Sequence, residues 1–479
     1  MARNTDPLLT LPDKCGVLYV RLYQRMRALI LDGSWRPGMR LPSSRRLAAD
    51  LGISRNTASL ALDQLLADGW IEARSRAGVF VSAELPAAGR GATWNVDRMP
   101  LRTSNPPIPF ELAHGAIDAF PIDRWSRLQA KVWTRAVPDL LYEADMAGDI
   151  GLRQAIAGLV APTRGLTVAA NDVMVVTSTQ AALDLIAATL PPASAVVVED
   201  PGYIFADAAF TSRGHRIAPA PVDRDGLDVA AARRAEPKPA LIVTTPCFQF
   251  PTGRPMNAER RAALLNWANE AGAWVVDDEF DANFRFDGQQ PNLPLRCEAA
   301  SGQVITIGSF NRLLFNSLRM GFMIVPPPLR EPLLRARQAV DQFVNLPNQL
   351  VLSAFIEEGG YAAHLRNCRD LYQARRDALL ALLKPYCGTV IESDFNPCGL
   401  HLVLRPLHIT AQQLAARLRD SGVACMTIGD FVRHWPSEDG VLLGFAAFSE
   451  DVIEAMRPAL DQALAPLLNR AAPQRAIRR

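Results

Sequence analysis

Residues 41–81 read LPSSRRLAADLGISRNTASLALDQLLADGWIEARSRAGVFV, and this stretch decides the fold of the N-terminal part of the chain. One of its two leading serines can cap a short helix, Gly52 makes a tight turn, and Ser54 can cap a second helix. Apolar residues recur at helical spacing in both segments, which predicts a helix-turn-helix. Two short apolar runs, 70–74 and 78–81, then enclose a basic tip and predict the β-hairpin of a winged helix.

The composition predicts more than one folded unit. The chain has 479 residues, of which 49% are hydrophobic and 21% are charged, so we expect two or three domains rather than a disordered chain. Its 51 Lys and Arg nearly balance its 49 Asp and Glu. Between residues 14 and 80, however, eleven basic residues face five acidic ones. This asymmetry predicts a basic N-terminal module on a mildly acidic body.

Cysteine and histidine usage argues against several classes of protein. The seven cysteines are scattered without CxxC spacing and the six histidines are isolated, so we expect neither a disulfide framework nor a metal site. The first residues lack the features of a signal peptide, and no apolar run reaches eighteen residues. We therefore expect a cytoplasmic protein that is neither secreted nor inserted in a membrane.

The rest of the chain predicts a linker and an α/β body. Residues 83–109 lack periodicity and are rich in Ala, Gly, Pro and Arg, which predicts a linker between a module at 14–82 and a body at 110–470. Apolar β-branched runs alternate with helical patterns in the body, so we expect a parallel sheet covered on both faces. The predicted strands are 173–177, 195–199, 240–245, 273–278, 304–307 and 321–325. A long helical stretch and two strand-like runs then predict a smaller C-terminal α+β subdomain.

Basic and polar side chains open the second helix of the helix-turn-helix. Arg55, Asn56 and Thr57 lie at the end that would enter the major groove of DNA, while Arg45 and Arg76 would contact the phosphate backbone. An ordinary solvated three-helix bundle would also explain a basic face, but the basic wing favours binding of double-stranded DNA. The residues predicted to contact DNA are Arg45, Ser54, Arg55, Asn56, Thr57, Arg76 and Gly78.

Two resemblances extend this interpretation. Residues 41–81 are very similar to the winged helix of GntR-type bacterial repressors. In the body, the motifs EDPGY, TPCFQFPTG, DDEFD and GSFNR fall at the C-terminal ends of predicted strands, where open parallel sheets build ligand sites, and RMG comes shortly after the fourth. Taken together, residues 16 to 465 resemble MocR-type regulators, which join a GntR winged helix to a fold-type I aminotransferase-like body. The resemblance implies a homodimer.

The resemblance also implies a site for pyridoxal 5′-phosphate (PLP). Asp278 matches the carboxylate that pairs with the pyridine nitrogen, with Asp277 as the alternative, and Tyr203 matches the ring that stacks on the cofactor. Phosphate is held in that family by hydroxyls, helix amides and an arginine. The matching phosphate ligands are Thr179, Gln180, Ser309 and Arg319.

The chain departs from the family at the residue that matters most for covalent chemistry. Arg312 stands where the family has its Schiff-base lysine, and a guanidinium cannot serve as the amine nucleophile. Phe280 and Phe248 replace a tyrosine and a histidine, and strand 441–445 lacks the arginine that binds a substrate carboxylate. The chain's four lysines, all outside these motifs, are Lys14, Lys131, Lys238 and Lys384.

These features predict a bacterial transcription regulator whose body dimerises and senses a small-molecule effector. We expect no catalytic activity, and PLP, where it binds, to be held without a covalent bond. One alternative is a working PLP-dependent aminotransferase that carries a DNA-binding domain. Another is a regulator whose pocket binds a different anionic ligand, because Arg312 beside Arg319 would make it more cationic, or serves only for dimerisation. His114 is expected to be a packing or dimer residue.

Overall fold

The chain forms two compact units, Met1–Arg98 and Met99–Arg479, in the computed structural model. The described residues are 18–31, 34–67, 70–74, 78–82, 107–112, 114–135, 142–289, 292–299, 302–392, 395, 397–435 and 437–468. Most of the predicted linker, residues 83–106, lies outside them, as does Arg76 at the tip of the predicted wing. The boundaries at 14–82, 83–109 and 110–470 therefore stay predictions.

The N-terminal unit is a winged helix-turn-helix, as predicted. Its elements are α1 (Leu18–Leu31), α2 (Ser44–Leu51), α3 (Arg55–Ala67), β1 (Ile71–Arg74) and β2 (Gly78–Val81). Ser43 caps α2 by accepting a hydrogen bond from the Arg46 N–H (3.3 Å), and the helix ends at Gly52 in the left-handed conformation (φ 66°). Ser54 Oγ accepts from the Thr57 N–H (3.0 Å) and so caps α3.

A small apolar core holds this unit together. Side chains from α1 and α3, including Met26 and Leu65, pack with the fully buried Trp35. Strands β1 and β2 pair antiparallel, with Ile71 opposite Val81, and Trp70 lies under the guanidinium of Arg27 at 4.9 Å. The core fixes the hairpin against the helices, which positions the wing.

An eight-stranded sheet forms the centre of the second unit. The strands are β3 (Val173–Val176), β4 (Ala195–Asp200), β5 (Arg216–Asp223), β6 (Gly226–Leu227), β7 (Leu241–Thr244), β8 (Trp274–Asp278), β9 (Val304–Ser309) and β10 (Gly321–Ile324). Their order is β3-β10-β9-β8-β7-β4-β5-β6, and β5, β4, β7, β8 and β9 are parallel.

The prediction that residues 321–325 belong to a parallel sheet is wrong in one respect. Strand β10 runs antiparallel to both of its neighbours, β3 and β9. It follows β9 after the short loop 310–320, which contains no helix long enough for a parallel crossover connection. The sheet is therefore mixed, and the antiparallel strand lies inside it.

Sequence reasoning missed β5 because Pro219 and Pro221 interrupt its apolar pattern. The strand pairs in parallel with β4 from Arg216 to Pro221. In the described structure, β6 pairs only with Val222 and Asp223, so the proline-bearing part of β5 has an outer edge without ladder bonds. Proline is tolerated at such an edge because no N–H is required there.

Helices cover both faces of the sheet. They are α4 (Ile122–Arg135), α5 (Ile150–Arg164), α6 (Thr179–Thr189), α7 (Ala206–Thr211), α8 (Val229–Ala235), α9 (Ala258–Ala271), α10 (Leu295–Glu298), α11 (Pro327–Val340), α12 (Leu346–Glu357) and α13 (Gly360–Leu383). Successive strand residues alternate between two cores: Val276 packs with residues of α6, α7 and α11, whereas Val275 packs with residues of α8 and α9. Burial on both faces explains the continuous apolar runs.

The C-terminal part of the body is the predicted α+β subdomain. It contains β11 (His401–Leu404), α14 (Ala411–Asp420), β12 (Met426–Thr427), β13 (Val441–Gly444), α15 (Glu450–Ala455) and α16 (Arg457–Leu468). Its strands form an antiparallel sheet in the order β11-β13-β12. Within the ranges that the structure describes, no helix is both long and apolar enough to cross a membrane.

Candidate functional site

Strand register brings the predicted phosphate ligands to one edge of the sheet. Gly321, the first residue of β10, pairs with Val176 at the end of β3 and with Ser309 at the end of β9. Thr179 follows Val176 by three residues, and Arg319 precedes Gly321 by two. The insertion of β10 between β3 and β9 therefore gathers Thr179, Ser309 and Arg319 in one place.

The first turn of α6 adds backbone donors to this edge. The helix begins at Thr179, and Ser178 caps it by accepting a hydrogen bond from the Ala181 N–H (3.1 Å). Free N–H groups and the helix dipole make such a helix start attractive to an anion. Gln180 lies in the same turn, and its buried Oε1 has no hydrogen-bond partner among the described residues.

The loop between β9 and β10 displays Arg319. Asn311 Oδ1 accepts from the Met320 N–H (2.9 Å), and the Phe310 N–H donates to the Met320 carbonyl (3.1 Å), so the two ends of the loop are tied together. Arg319 has a left-handed backbone (φ 53°), which costs a non-glycine residue about 1 kcal/mol, and its side chain is exposed. A strained residue that presents a guanidinium at a helix start suits anion binding.

Alternation along β8 separates Asp277 from Asp278. Asp277 is fully buried and its Oδ2 accepts from the Leu295 N–H (2.7 Å) at the start of α10. Asp278 points to the other face of the sheet and lines a pocket with Tyr203. The structure thus places Asp278, and not Asp277, beside the predicted stacking ring.

Asp278 is a buried carboxylate that is only partly compensated, by a hydrogen bond from the Phe280 backbone. Its Oδ1 has no hydrogen-bond partner within the described part of the chain. Burial, followed by the nearby carboxylates of Asp281, Glu279 and Glu199, raises the pKa of Asp278 to about 7. Such a group costs folding free energy, and a cationic N–H donor would relieve that cost.

Tyr203 lines the pocket and is acted on by a negative and a positive group. Burial and the charge of Asp278 raise the pKa of its hydroxyl, while Arg319 acts in the opposite direction. The turn before it requires glycine, because a Cβ at Gly202 would lie 2.3 Å from the Glu199 carbonyl oxygen. Tyr203 therefore feels both the negative charge of Asp278 and the positive charge of Arg319.

Arg312 is held in a bidentate ion pair. Its Nε and Nη2 donate to the two carboxylate oxygens of Asp281 at 3.0 and 2.8 Å, and its guanidinium lies 5.9 Å from the centre of the Phe280 ring. Burial acts to lower the pKa of Arg312, but the charge and hydrogen bonds of Asp281 raise it above its ordinary value. Asp281 therefore balances the added positive charge, which leaves Arg319 to attract an anion.

The two phenylalanines that replace polar family residues form one apolar wall. Phe248 and Phe280 have ring centres 5.8 Å apart, and Phe250 lies 5.9 Å from Phe280. His401 packs against Phe248 at 5.2 Å, and burial lowers its pKa to about 4, so its imidazole is neutral at physiological pH. The side chains of this wall therefore supply no group that takes up or releases a proton near neutral pH.

Sequence reasoning missed Arg433, which lines the same pocket as Tyr203. Its guanidinium donates to both oxygens of Asp207, to the Glu199 carbonyl (3.0 Å) and to the Tyr203 carbonyl (2.9 Å). The backbone N–H of Arg433 also donates to Asp200 (2.7 Å). Arg433 belongs to the C-terminal subdomain, more than 200 positions from its partners, so no local pattern could have revealed it.

Glu199 is the second missed residue. It is buried and accepts hydrogen bonds from the Thr244 hydroxyl (2.5 Å) and from the hydroxyl (2.7 Å) and N–H (3.1 Å) of Thr245. Burial raises its pKa, and these hydrogen bonds act against the rise. The motif that contains Glu199 pointed to this strand end, but not to the role of its side chain.

Some of the predicted DNA-contacting residues are exposed, and others stabilise the start of α3. Arg45, Arg55 and Asn56 are exposed on α2 and at the start of α3. Ser54 and Thr57 instead contact each other through their hydroxyls (2.8 Å) and hold the start of α3. Gly78 opens β2 with φ 111°, a conformation that favours glycine.

Gly78 also makes room for a basic residue that the sequence analysis left out. A Cβ at Gly78 would lie 3.2 Å from Nε of Arg40, whose backbone bridges to Phe80 on β2. Arg40 is exposed at this end of the hairpin. The guanidinium of Arg40 therefore makes the base of the wing basic, independently of the residues at the tip of the wing.

His114 is a packing residue in the described structure. It is half-buried, with Nε2 3.8 Å from a carboxylate oxygen of Glu111 and Nδ1 3.4 Å from the Asn316 amide nitrogen. Neither contact involves the pocket.

Two family models match the chain. "Bacterial regulatory proteins, gntR family" matches residues 18–81, and "Aminotransferase class I and II" matches residues 110–459. The probable rhizopine catabolism regulatory protein MocR of Rhizobium meliloti is 34% identical over 446 residues, which cover 90% of each chain. The chain is a MocR-type member of the GntR family. This confirms the family predicted from the sequence, and the MocR-type chain joins a DNA-binding GntR domain to an aminotransferase fold.

Other similarities agree with this assignment. The MocR-type chain is 27% identical to the HTH-type pyridoxine biosynthesis transcriptional regulator PdxR of Corynebacterium glutamicum, with 93% of this chain and 96% of the relative covered. Its body is similar in structure to the kynurenine aminotransferase of Pyrococcus horikoshii, with a TM-score of 0.67 and 25% identity over 75% of this chain and 91% of that chain. Thermus thermophilus LysN also reaches a TM-score of 0.67, at 26% identity over 76% and 93% of the chains.

We predict that Asp278→Asn stabilises the ligand-free protein at alkaline pH. Because its pKa is raised to about 7 from 3.8, folded Asp278 binds a proton between pH 4 and 7 that the unfolded chain releases, so wild-type stability rises as the pH falls through 7. The variant should gain up to about 4 kcal/mol at pH 8, and the gain should fade toward pH 5. Urea unfolding at pH 5 to 8 measures this, with exposed Asp420→Asn as control. A gain independent of pH would contradict the assignment.

We predict that Arg433→Met destabilises the body by about 3–5 kcal/mol, because it leaves Asp207 buried without its partner. The double variant Arg433→Met with Asp207→Leu should recover part of this loss, since it removes both buried charges. Urea unfolding of the wild type, the two single variants and the double variant measures the coupling. Strictly additive losses would show that the pair contributes no interaction free energy.

Proposed function

We propose that this protein is a homodimeric cytoplasmic transcription regulator whose winged helix binds double-stranded operator DNA. Its aminotransferase-like body senses a small molecule and does not catalyse transamination. The observation that carries the proposal is the ion pair between Arg312 and Asp281, which occupies the lysine position of a pocket that otherwise suits PLP. The relatives that match over nearly the whole chain are regulators, in agreement with this function.

The described residues fit PLP at three points. The unpartnered Oδ1 of Asp278 suits the protonated pyridine nitrogen, and the ring of Tyr203 suits stacking. The start of α6, with Thr179 and Gln180, together with Ser309 and Arg319, suits the phosphate. When bound to an amino-acid substrate, PLP acts as an electron sink. Arg312 supplies no amine for that chemistry, so the residues named above would hold PLP reversibly.

The similar proteins make a B6 vitamer a reasonable ligand class. The Corynebacterium glutamicum relative is named for pyridoxine biosynthesis, and the Pyrococcus horikoshii structure contains pyridoxamine phosphate. For this chain, the buried carboxylate of Asp278 and the exposed guanidinium of Arg319, which both act on Tyr203, are the physical reason to test the same class. A different anionic ligand is the second candidate, because exposed Arg319 and the start of α6 do not by themselves require a pyridine ring.

The working-aminotransferase alternative has little support. Transamination needs a lysine to move a proton on the substrate and an arginine to hold the substrate carboxylate. Arg312 is committed to Asp281, and Val441–Gly444 of β13 contains no arginine. Arg433 reaches the pocket, but Asp207 already binds its guanidinium.

Exposed apolar side chains support the dimer. Ile117, Ile122, Trp133 and Tyr142 are between 51% and 77% exposed on and around α4. Exposed apolar surface of this kind is what a protein interface would cover. A symmetric dimer would pair two DNA-binding units on two half-sites, and the 83–109 linker would couple ligand binding in the body to their geometry.

We predict that Arg55→Ala weakens binding to a selected operator duplex by at least tenfold, because it removes a charged donor from the start of α3. Affinity should also fall steeply with salt concentration, since the basic face displaces counterions from DNA. Fluorescence anisotropy at several salt concentrations measures both effects, with Arg335→Ala on the body as a charge-matched control. Equal affinity of the two variants would contradict the assignment of α3 to the groove.

We predict that wild-type protein binds PLP saturably but forms no bond that borohydride can reduce. The Arg312→Lys variant should trap PLP at position 312, since it restores an amine there, whereas Arg335→Lys should not. Absorbance titration and peptide mass analysis measure this, and operator affinity with and without PLP tests sensing. A trapped adduct on a native lysine would overturn the non-covalent proposal. Absence of saturable binding would favour the second candidate, another anionic ligand.

A further inference from the structure

Helix α3 carries an apolar side chain where a purely structural helix would place a polar one. Leu60 is 45% exposed, and among the described residues of the N-terminal unit only Met39 is another large apolar side chain with comparable exposure. The inference below rests on the proposed binding of DNA by this helix.

Helix geometry places Leu60 beside Asn56. The two residues are four positions apart and so lie on the same face, one turn from each other. The opposite face of α3 is buried through Ala58, Leu62 and Leu65. Leu60 therefore points away from the core, on the side where Asn56 would meet the bases.

The charge around this face favours nucleic acid over a protein partner. Arg45, Arg46 and Arg55 are exposed on α2 and at the start of α3, and Arg40 is exposed at the base of the wing. Asp63, one turn beyond Leu60, is exposed as well, and a carboxylate at that position is repelled by phosphate. The surface in contact with the groove would thus end near Leu60.

Base chemistry then limits what Leu60 can recognise. In the major groove, the thymine 5-methyl group is the apolar feature that a side chain without hydrogen-bonding atoms can contact. We propose that Leu60 contacts the 5-methyl group of a thymine in each operator half-site, next to the base bound by Asn56. Leu60 is then a specificity-determining residue that favours thymine over cytosine and over uracil at one position.

The expected effect is modest but position-specific. Losing one buried methyl group weakens binding by about fourfold. Replacing the contacted thymine by deoxyuridine should therefore cost the wild type about fourfold per half-site, and other thymines should show little effect. In Leu60→Ala the same replacement should cost less than about 1.5-fold, because the methyl group no longer has an apolar partner.

The test uses the full-length protein. An operator is first selected from random duplexes, each thymine is then replaced in turn by deoxyuridine, and affinities are measured by anisotropy for wild type and for Leu60→Ala, Leu60→Gln and Met39→Ala. Met39→Ala removes a comparably exposed apolar side chain outside α3 and should keep the fourfold effect. Leu60→Gln keeps a good helix former and should lose the effect as Leu60→Ala does.

Three results would overturn the inference. The first is a wild type that is insensitive to every thymine replacement, and the second is full uracil sensitivity in Leu60→Ala. The third is a shift in oligomeric state in Leu60→Ala, measured by light scattering, with uracil sensitivity unchanged, because Leu60 would then be a protein contact. If wild-type protein enriches no duplex, the proposed function itself is refuted. The proposed contact between Leu60 and thymine then falls as well.

Discussion

The antiparallel insertion of β10 between β3 and β9 is the constraint on which the body depends. A single register aligns Val176, Gly321 and Ser309, and through them the start of α6 and the loop that carries Arg319. Backbone pairing therefore gathers the predicted phosphate ligands before any side-chain contact is considered. The same sheet places Asp278 at the end of β8, whereas Arg319 lies on a loop and Thr179 in a helix that adjoin strand ends.

Arg312 shows how a pocket can keep its shape and change its chemistry. A lysine donates through one ammonium group, whereas the planar guanidinium meets both oxygens of Asp281 at once. The pair fills the lysine position with a neutralised unit and leaves the groups at Asp278 and Arg319 in place. Phe248 and Phe280 then form an adjacent apolar wall, which agrees with the proposed site that binds a ligand without transferring protons.

Particular residues show what the sequence could and could not predict. The capping serines, the turn glycine and the apolar spacing specify the winged helix because these signals are local. The choice of Asp278 over Asp277 follows from family resemblance and agrees with strand alternation. Strand direction and long-range pairing could not be predicted. The sequence of β10 does not indicate that the strand runs antiparallel, and the prolines of β5 interrupt the apolar pattern of a strand. The ion pairs of Arg433 with Asp207 and of Arg312 with Asp281 join residues that are far apart in the sequence and form only in the folded body.

The buried carboxylate of Asp278, with one oxygen unpartnered among the described residues, also bears on how long the protein lasts in a cell. The free energy of unfolding is smaller without a ligand in the pocket than with one. A bound cationic group adds its binding free energy to the stability of the folded chain. Proteases and chaperones act on the unfolded fraction, which changes several-fold for about 1–2 kcal/mol. Under the proposed function, supply of the ligand would thus set the abundance of the regulator as well as its occupancy, and the two would rise together.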